Sequence, residues 1–433
     1  MFEQIIFAII LAGSIWLFAR NVGRIRRNIF LGKDTDRSEN PKLRWKTMLL
    51  VAIGQGKMFT RPIPALLHLF VYVGFVLINI EVLEILIDGV AGTHHVFAGP
   101  FGMVYHIAIG FFEFLAMMVL LGCAVFLFRR HVLKIKRFSG VEMRAFPARD
   151  AATILIAEIV LMACLLVLNA VENQIATQGM AEGSSIIVYP ISELLSPLFD
   201  GFSMDTLHII ERTAWWGHIL GILAFMNYLP YSKHFHIIMA FPNTYYSNLN
   251  AQGQLANMES VATEVKLMMD PAAQPPEGYQ PPTSFGVKDV TDLTWKNLMD
   301  AYTCTECGRC TNVCPANITG KLLSPRKIMM DTRDRLEEVG SGINKTGALV
   351  DDGKNLHSYI STEELWACTT CQACVEICPV NINPMEIIVD MRRYKVMEQS
   401  EAPQELNMMF TNVENNGAPW QMAQSARADW AND

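Results

Sequence analysis

Long apolar segments separated by polar and charged stretches dominate the first 240 residues of this chain. Five of them are long enough to cross a lipid bilayer as helices, and they occupy residues 4–22, 64–88, 102–128, 151–171 and 212–239. Beyond them the apolar positions are mixed with polar ones, and no segment of comparable length follows. The pattern predicts an all-α membrane domain of five helices over 1–240, followed by a soluble domain.

Composition and charge agree with this division and orient the membrane domain. Of 433 residues, 51% are hydrophobic and only 18% are charged. Lysine and arginine concentrate after the first and third apolar segments, whereas residues 89–101 and 172–211 contain neither. Because basic loops stay on the cytoplasmic side, we expect a multi-pass protein of the bacterial inner membrane with its N-terminus outside and its C-terminal half in the cytoplasm. The first segment has no basic stretch before it, so we expect a retained helix and not a signal peptide.

Two cysteine motifs dominate the C-terminal half. Each has the form C-x2-C-x2-C-x3-C-P, the pattern that holds cubane iron–sulfur clusters and in which the fourth cysteine ligates the other cluster. We therefore expect one 4Fe-4S cluster on Cys304, Cys307, Cys310 and Cys378, and a second on Cys368, Cys371, Cys374 and Cys314. A pair of zinc sites is disfavoured, because zinc usually takes two separated C-x2-C pairs.

Turn and cap residues predict the remaining organisation of the C-terminal half. Ser324-Pro325 and Asn383-Pro384 each supply a cap and a first-turn proline, which predicts helices over 326–338 and 385–397. Strand signals are weak, so we expect an α-helical ferredoxin domain over 289–400. A proline-rich stretch without periodicity predicts an irregular connector over 241–288, and residues 401–433 form a tail.

Four histidines inside the apolar segments fall at matched depths, and a membrane histidine is costly without a partner. His68 and His236 lie near the cytoplasmic surface, while His106 and His218 lie toward the outside. His218 and His236 are eighteen residues apart, so a straight helix would present both on one face, about 27 Å apart. This arrangement suits two b-type haems, an inner one on His68 and His236 and an outer one on His106 and His218. A helix–helix hydrogen bond is the alternative role for any one of them, and His208 is the alternative to His106.

The segment from His218 to His236 resembles the fifth helix of the respiratory nitrate reductase gamma family, in its histidine spacing and its Pro-Tyr-Ser-Lys turn. The resemblance implies a five-helix, two-haem cytochrome b that oxidises a quinol, with menaquinone or ubiquinone as the substrate. His68 matches the cytoplasmic-side ligand of that family. The outer ligand position of the same helix falls near Ile78, which cannot bind iron, so His106 is expected in its place.

From about residue 289 the chain resembles the iron–sulfur subunits of heterodisulfide reductases and the matching parts of glycolate, lactate and glycerol-3-phosphate oxidoreductases. The cysteine motifs and the tail around Pro419-Trp420 carry this resemblance. In fused members of those families a cysteine-rich CCG domain follows the tail. The resemblance therefore implies a separate cytoplasmic partner docked on residues 401–433, either a CCG-domain subunit or a flavin-containing one such as an electron-transfer flavoprotein.

These features together predict an oxidoreductase subunit that moves electrons between the quinone pool and a cytoplasmic partner. No nucleotide-binding fingerprint or hydrolytic constellation is present, so we expect substrate chemistry on another chain and no nucleic-acid partner. Glu81 and Glu84 fall in the outer half of the second segment, and we hypothesise that they line a quinone site and relay its protons, with structural hydrogen bonding as the alternative. The competing function is a membrane scaffold that docks a dehydrogenase or disulfide reductase, with structural clusters and no quinone chemistry.

Overall fold

The computed structural model describes residues 1–179 and 189–432, and these residues form helices and no β-strand. The helices of the first half are α1 Phe2–Ile29, α2 Pro41–Met48, α3 Pro62–Ala91, α4 Ala98–Phe101, α5 Met103–His131, α6 Phe146–Gly179, α7 Met204–Tyr228 and α8 His236–Tyr245. Those of the second half are α9 Glu259–Met269, α10 Trp295–Thr303, α11 Arg309–Val313, α12 Pro315–Ile318, α13 Pro325–Thr346, α14 Thr362–Trp366, α15 Ala373–Glu376, α16 Pro384–Met397 and α17 Gln404–Asn416. The all-α prediction is confirmed for these residues.

The chain divides into two compact units. The first unit consists of Met1–Arg27, Asn40–Tyr245 and Tyr302–Gly308, and the second of Asn28–Glu39, Tyr246–Ala301 and Arg309–Asp433. Part of the first cysteine motif therefore belongs to the unit that contains the long apolar helices.

The stretch 241–288, expected to be irregular, contains the end of α8 and all of α9. Helix α9 contains no proline, and it has Glu259 in its first turn and Lys266 in its last. An acidic residue near the start and a basic residue near the end interact favourably with the helix dipole and stabilise the helix. The prolines that suggested an irregular connector lie after this helix.

Four helices of the first unit are long and apolar enough to cross a membrane, namely Phe2–Ile29, Pro62–Ala91, Met103–His131 and Phe146–Gln178. Helix α7 is not among them in the described part of the chain. It carries Asp205, Glu211 and Arg212 in its first turns and ends at Tyr228, so its apolar portion is short. The fifth membrane span, predicted over 212–239, stays a prediction.

The single helix predicted over 212–239 is interrupted at Pro230, so the prediction that His218 and His236 lie on one face of a straight helix is wrong. Proline has no N–H to continue the helical hydrogen bonds, and α7 gives way to two 3-10 turns before α8 begins. Ser232 is extended, and its side chain accepts a hydrogen bond from the N–H of His234. His218 and His236 therefore lie on different helices, and the one-face geometry of a straight helix does not apply.

Helix α5 packs against both α3 and α6, and α6 packs against α7. Buried residues such as Ala116 and Leu165 form the core between these helices. A Cβ atom on Gly74 would lie 2.4 Å from Cγ2 of Val119, so the close approach of α3 and α5 requires glycine there. Many apolar side chains point outward, and Ile63 is 67% exposed. In a bilayer such side chains remain in apolar surroundings, which is consistent with a membrane location.

Two capped helices follow the cysteine motifs in the second unit, as predicted. Ser324 accepts a hydrogen bond from the N–H of Lys327 at the start of α13, and Asn383 accepts one from the N–H of Glu386 at the start of α16. Helix α13 continues past its predicted end to Thr346 and stops at Gly347, whose φ of 80° and N–H bond to the carbonyl of Ile343 form a glycine C-cap. The two helices pack against each other and form much of the core of this unit.

Candidate cofactor sites

Cys314 of the first motif lies beside the first three cysteines of the second. Helix α11, which precedes Cys314, packs against α15, which contains Cys374. Burial, followed by the charges of Cys368, Cys314 and Cys371, raises the pKa of the Cys374 thiol to about 12. Four neighbouring thiols do not ionise together without a cation, and iron supplies that charge in a cluster site. The structure thus brings together the four residues assigned to the second cluster, and their role as ligands stays a prediction.

The two motifs share one backbone conformation. The second and fourth residues after the first cysteine have positive φ angles, which are 55° at Glu306 and 70° at Gly308, and 55° at Thr370 and 59° at Gln372. Residues other than glycine rarely adopt such angles. Loops of this kind gather backbone N–H groups into concavities that bind anionic groups, iron–sulfur clusters included. In the second loop the N–H of Thr370 lies 3.4 Å from Sγ of Cys368 and donates to it, which fits a bound thiolate.

The residues assigned to the first cluster are shielded to different degrees. Cys304 is buried, while Cys307, Cys310 and Cys378 are half-buried. The N–H of Ile382 donates to Sγ of Cys378 at 3.3 Å. Their grouping around one cluster stays a prediction from the spacing of the motifs.

His68 and His236 lie next to each other in the first unit, with ring centroids 6.5 Å apart. Two imidazoles on opposite sides of one metal ion, each bound at about 2 Å, have centroids about 6.3 Å apart. Nδ1 of His236 donates to the carbonyl of Lys233 at 3.1 Å, which leaves Nε2 as the atom that can bind a metal. The spacing fits the pair predicted for the inner haem.

His234 joins this pair, although a straight helix would have turned it away. Its ring centroid lies 5.5 Å from that of His236. Its Nε2 is buried without a hydrogen-bond partner and lies 3.9 Å from Oε1 of Glu158. Straight-helix geometry placed His234 on the side opposite to His218, and Pro230 is the signal that indicates a change of direction before it.

His218 has the hydrogen bonding typical of a metal ligand. Its Nδ1 donates to the carbonyl of Leu161 at 2.9 Å, and its Nε2 is buried without a hydrogen-bond partner. His106 lies in the first turns of α5, and its Nδ1 is likewise buried without a partner. In the part of the chain that the structure describes, no ring contact joins His106 to His218. Their pairing around an outer haem stays a prediction.

Glu84 belongs to a hydrogen-bonded network in the first unit. Its carboxylate accepts hydrogen bonds from the hydroxyl of Tyr105 at 2.7 Å and from the N–H of Phe97 at 2.9 Å. The Tyr105 oxygen lies 2.8 Å from Nδ1 of His95. Nε2 of His95 lies 3.4 Å from Oε2 of Glu172. The contacts therefore run without interruption from Glu84 to Glu172.

His95 is the cationic centre of this network. Burial disfavours its charged form, but hydrogen bonds to Glu172 and Glu84 outweigh burial and raise the pKa of His95 to about 10. Glu81, one turn before Glu84, is buried and interacts electrostatically with the same groups. The sequence reasoning did not identify His95, because a histidine in a loop is usually a solvated surface residue. Its partners lie too far away along the chain to form a recognisable motif.

A buried lysine joins the turn that carries the inner histidines to the first cysteine motif. Nζ of Lys233 binds the carboxylate of Glu306 and donates to the carbonyl of Pro147 at 2.7 Å. The side chains of Lys233 and Glu306 are only 8% and 2% exposed. Lys233 precedes His236 by three residues, and Glu306 directly precedes the second cysteine of its motif. The histidine turn and this cysteine loop are therefore held together by one buried ion pair.

A family comparison agrees with the cysteine geometry. Residues 303–382 match the family profile of the 4Fe-4S dicluster domain. The match includes all eight motif cysteines, and it confirms the predicted 4Fe-4S domain in the C-terminal half. The matched residues include both similar loops and the first of the two capped helices, α13.

The chain is also similar over nearly its whole length to two curated bacterial proteins. "Probable iron-sulfur-binding oxidoreductase FadF" of Bacillus subtilis is 27% identical over 461 aligned residues, covering 100% of this chain and 61% of the relative. "EtfAB:quinone oxidoreductase" of Syntrophomonas wolfei is 26% identical over 457 aligned residues, covering 97% of this chain and 56% of the relative. A third relative matches over a shorter stretch: "Probable membrane-anchored ferredoxin" of Chromohalobacter salexigens is 32% identical over 164 aligned residues, covering 34% of this chain and 24% of the relative. The chain thus spans about 56% to 61% of the first two relatives. No solved structure matches it significantly.

Proposed function

We propose that this chain is the electron-transfer subunit of a membrane-anchored oxidoreductase and passes electrons between a quinone in the bilayer and a cytoplasmic redox partner. The observation that carries the proposal is the buried Lys233–Glu306 ion pair, which holds the first cysteine loop to the turn bearing His236. The ion pair thereby joins a turn with a proposed haem ligand to a loop with proposed cluster ligands, both within the first unit. The name of the Syntrophomonas relative, an EtfAB:quinone oxidoreductase, supports a quinone as one reactant.

The proposed cofactors are two b haems and two 4Fe-4S clusters, which supply one-electron transfer when bound. The haem ligands would be His68 with His236 and His106 with His218, and the cluster ligands would be the two cysteine sets predicted from the sequence. The carbonyls of Lys233 and Leu161 fix the rings of His236 and His218, and such hydrogen bonds also make the ligating nitrogen more basic. The chain's residues thus orient the ligands before any cofactor binds.

We place the quinone site beside Glu81 and Glu84. Oxidation of a quinol releases two electrons and two protons, so such a site needs a proton route as well as an electron acceptor. The network offers one from the buried carboxylate of Glu84 toward solvent through Tyr105, His95, Glu172 and the 61%-exposed side chain of His94. Glu84 would accept a proton at one end, and the exposed imidazole would release one at the other.

The tail after the dicluster domain supports a docked cytoplasmic partner. Large apolar side chains there are exposed, by 60% at Met408, 49% at Val413, 70% at Trp420 and 80% at Trp430. Exposed apolar groups gathered in one segment are typical of protein–protein contact surfaces. We propose that a CCG-domain or flavin-containing redox subunit, such as an electron-transfer flavoprotein, binds this tail. The substrate chemistry would take place on that partner.

Purified full-length chain in mild detergent is expected to show a b-type optical band that a quinol reduces. From the proposed ligands we expect about two haems per chain and about eight cluster irons. Adding menadiol and recording the optical band and the cluster EPR signals tests the function directly. The competing scaffold function predicts no haem and no response to quinol. Zinc without acid-labile sulfide would contradict the cluster assignment.

Glu84→Gln is expected to slow quinol oxidation by about 100-fold, because general acid–base groups typically contribute at least that factor. The substitution keeps the shape of the side chain but removes its ability to exchange a proton. The measurement is the rate of haem reduction by menadiol as a function of pH, in which the wild-type pH dependence should be lost.

Glu113 provides the matched control for that variant. It is also a buried acid of an apolar helix, but its carboxylate accepts hydrogen bonds from the backbone N–H groups of Ile191 and Ser192, at 2.8 and 3.1 Å. Glu113→Gln should keep the pH profile of the wild type. A rate and pH profile of Glu84→Gln equal to wild type would exclude the proton relay.

A further inference from the structure

We propose that His94, His95 and Glu172 form a binding site for a divalent transition-metal ion of the Zn²⁺ class. Nε2 of His94 lies 3.5 Å from Oε1 of Glu172, and Nε2 of His95 lies 3.4 Å from Oε2. One ligand atom from each of the three residues lies within 4.8 Å of the others. Two ligands bound to a tetrahedral zinc ion at about 2.1 Å are about 3.4 Å apart. The donors are therefore already spaced for one ion.

The donor set selects the class of cation. Two imidazoles and one carboxylate are the His₂Glu ligands of zinc sites that keep a fourth position for water. Hard cations such as Mg²⁺ and Ca²⁺ bind mainly oxygen ligands, whereas imidazole suits zinc and its neighbours among the transition metals. The open position would face the solvent-exposed side, where His94 lies.

Two tyrosine hydroxyl groups form hydrogen bonds with two of the three proposed ligands. The hydroxyl of Tyr189 donates to Oε2 of Glu172 at 2.9 Å. The hydroxyl of Tyr105 lies 2.8 Å from Nδ1 of His95 and donates in turn to Glu84. Nδ1 of His95 is thus occupied, and Nε2 is the atom presented to an ion. Residues that bind metals usually have such supporting hydrogen bonds, which fix the ring and the carboxylate.

The backbone brings two adjacent histidines onto one carboxylate. In an extended chain, neighbouring side chains point in opposite directions. His95 has a φ angle of 52°, which is uncommon outside glycine, and its N–H is held by a hydrogen bond to Asp88 at 2.8 Å. The two imidazole rings consequently meet edge to face, with centroids 4.2 Å apart. Strained backbone of this kind concentrates at binding and catalytic sites, and the inference rests on this geometry. An ion bound here would displace the proton that His95 holds against Glu172 in its absence, and it would block the outer end of the proton route proposed above.

The test uses the full chain with its cofactors, purified with a tag that contains no histidine, treated with a chelator and titrated with Zn²⁺. We expect one Zn²⁺ per chain, and a zinc-edge X-ray absorption spectrum with nitrogen and oxygen ligands. His95→Ala and Glu172→Gln should each weaken binding by about 100-fold, and Tyr189→Phe, which removes a supporting hydrogen bond and no ligand, by about 10-fold. His131→Ala removes an exposed histidine elsewhere and should leave the affinity unchanged.

Several results would overturn the proposal. Sulfur ligands in the absorption spectrum would place the zinc on the cysteine motifs, and absence of stoichiometric binding to the wild-type chain would remove the site. An unchanged affinity in both His95→Ala and Glu172→Gln would also contradict it. Because a ligand variant could lose binding through misfolding, each variant must keep the iron content of the wild type. If one does not, the wild-type absorption spectrum and Tyr189→Phe decide the question.

Discussion

Cys314→Ala is expected to abolish the cluster of the second cysteine motif and to spare the one associated with its own motif. The structure places Cys314 with Cys368, Cys371 and Cys374, and a cubane that lacks one of its four thiolates is not stably held. The variant should keep about four of the eight cluster irons. EPR spectra of the reduced protein, recorded over a range of potentials, would show one of two signals missing.

The reciprocal variant makes this test specific. Cys378→Ala should remove the other EPR signal, because Cys378 is assigned to the cluster on Cys304, Cys307 and Cys310. Cys164→Ala, which changes a cysteine outside both motifs, should retain both signals and serves as the control. If Cys314→Ala and Cys310→Ala lost the same signal, each motif would hold its own cluster and the exchange of fourth ligands would be wrong.

His236→Ala is expected to remove the inner haem and to disconnect the clusters from quinol. The variant should lose about one of two haems, since His68 would remain without its partner across the 6.5 Å separation of the two rings. Menadiol would still reduce the remaining haem, but the EPR signals of the reduced clusters would no longer develop. Optical haem quantitation and freeze-quench EPR after menadiol addition measure the two effects separately.

Two companion variants define what that result means. His131→Ala, at the end of α5 and exposed, should change neither haem content nor cluster reduction. His234→Ala tests whether His234, the neighbour of His236, is a haem ligand. In our assignment this variant retains both haems. Full haem content in His236→Ala, or loss of haem in His234→Ala alone, would transfer the ligand role from one histidine to the other. Cluster signals developed with dithionite verify that the variants are folded.

Local signals allowed the second half of the fold to be predicted well. Ser324-Pro325 and Asn383-Pro384 start their helices with the predicted caps, because a cap depends on residues only three positions away. The spacing of the cysteine motifs likewise identified a 4Fe-4S domain, and the placement of Cys314 beside the second motif agrees with the exchange of fourth ligands. Each of these features is determined by short segments of sequence.

The membrane sites depended on contacts that the sequence does not display. The break at Pro230 puts His218 and His236 on different helices and brings His234 beside His236. Periodicity along one straight helix therefore gave the wrong relative positions of these histidines. The network around Glu84 joins residues of α3, α5, α6 and a loop. No local pattern links positions so far apart, and the packing of helices alone brings them together. Glu81 and Glu84 were identified only because acids are rare in apolar segments.

The ion pair between Lys233 and Glu306 has a consequence for biogenesis. A fragment that began at residue 289 would contain every motif cysteine and still lack Lys233, which pairs with Glu306. Removing one partner of a buried ion pair typically costs about 3–5 kcal/mol, a large share of the stability of a domain. The stability of the first cysteine loop is therefore coupled to the folding of the helices around Lys233. Any iron that this loop binds would then be loaded after those helices have entered the membrane.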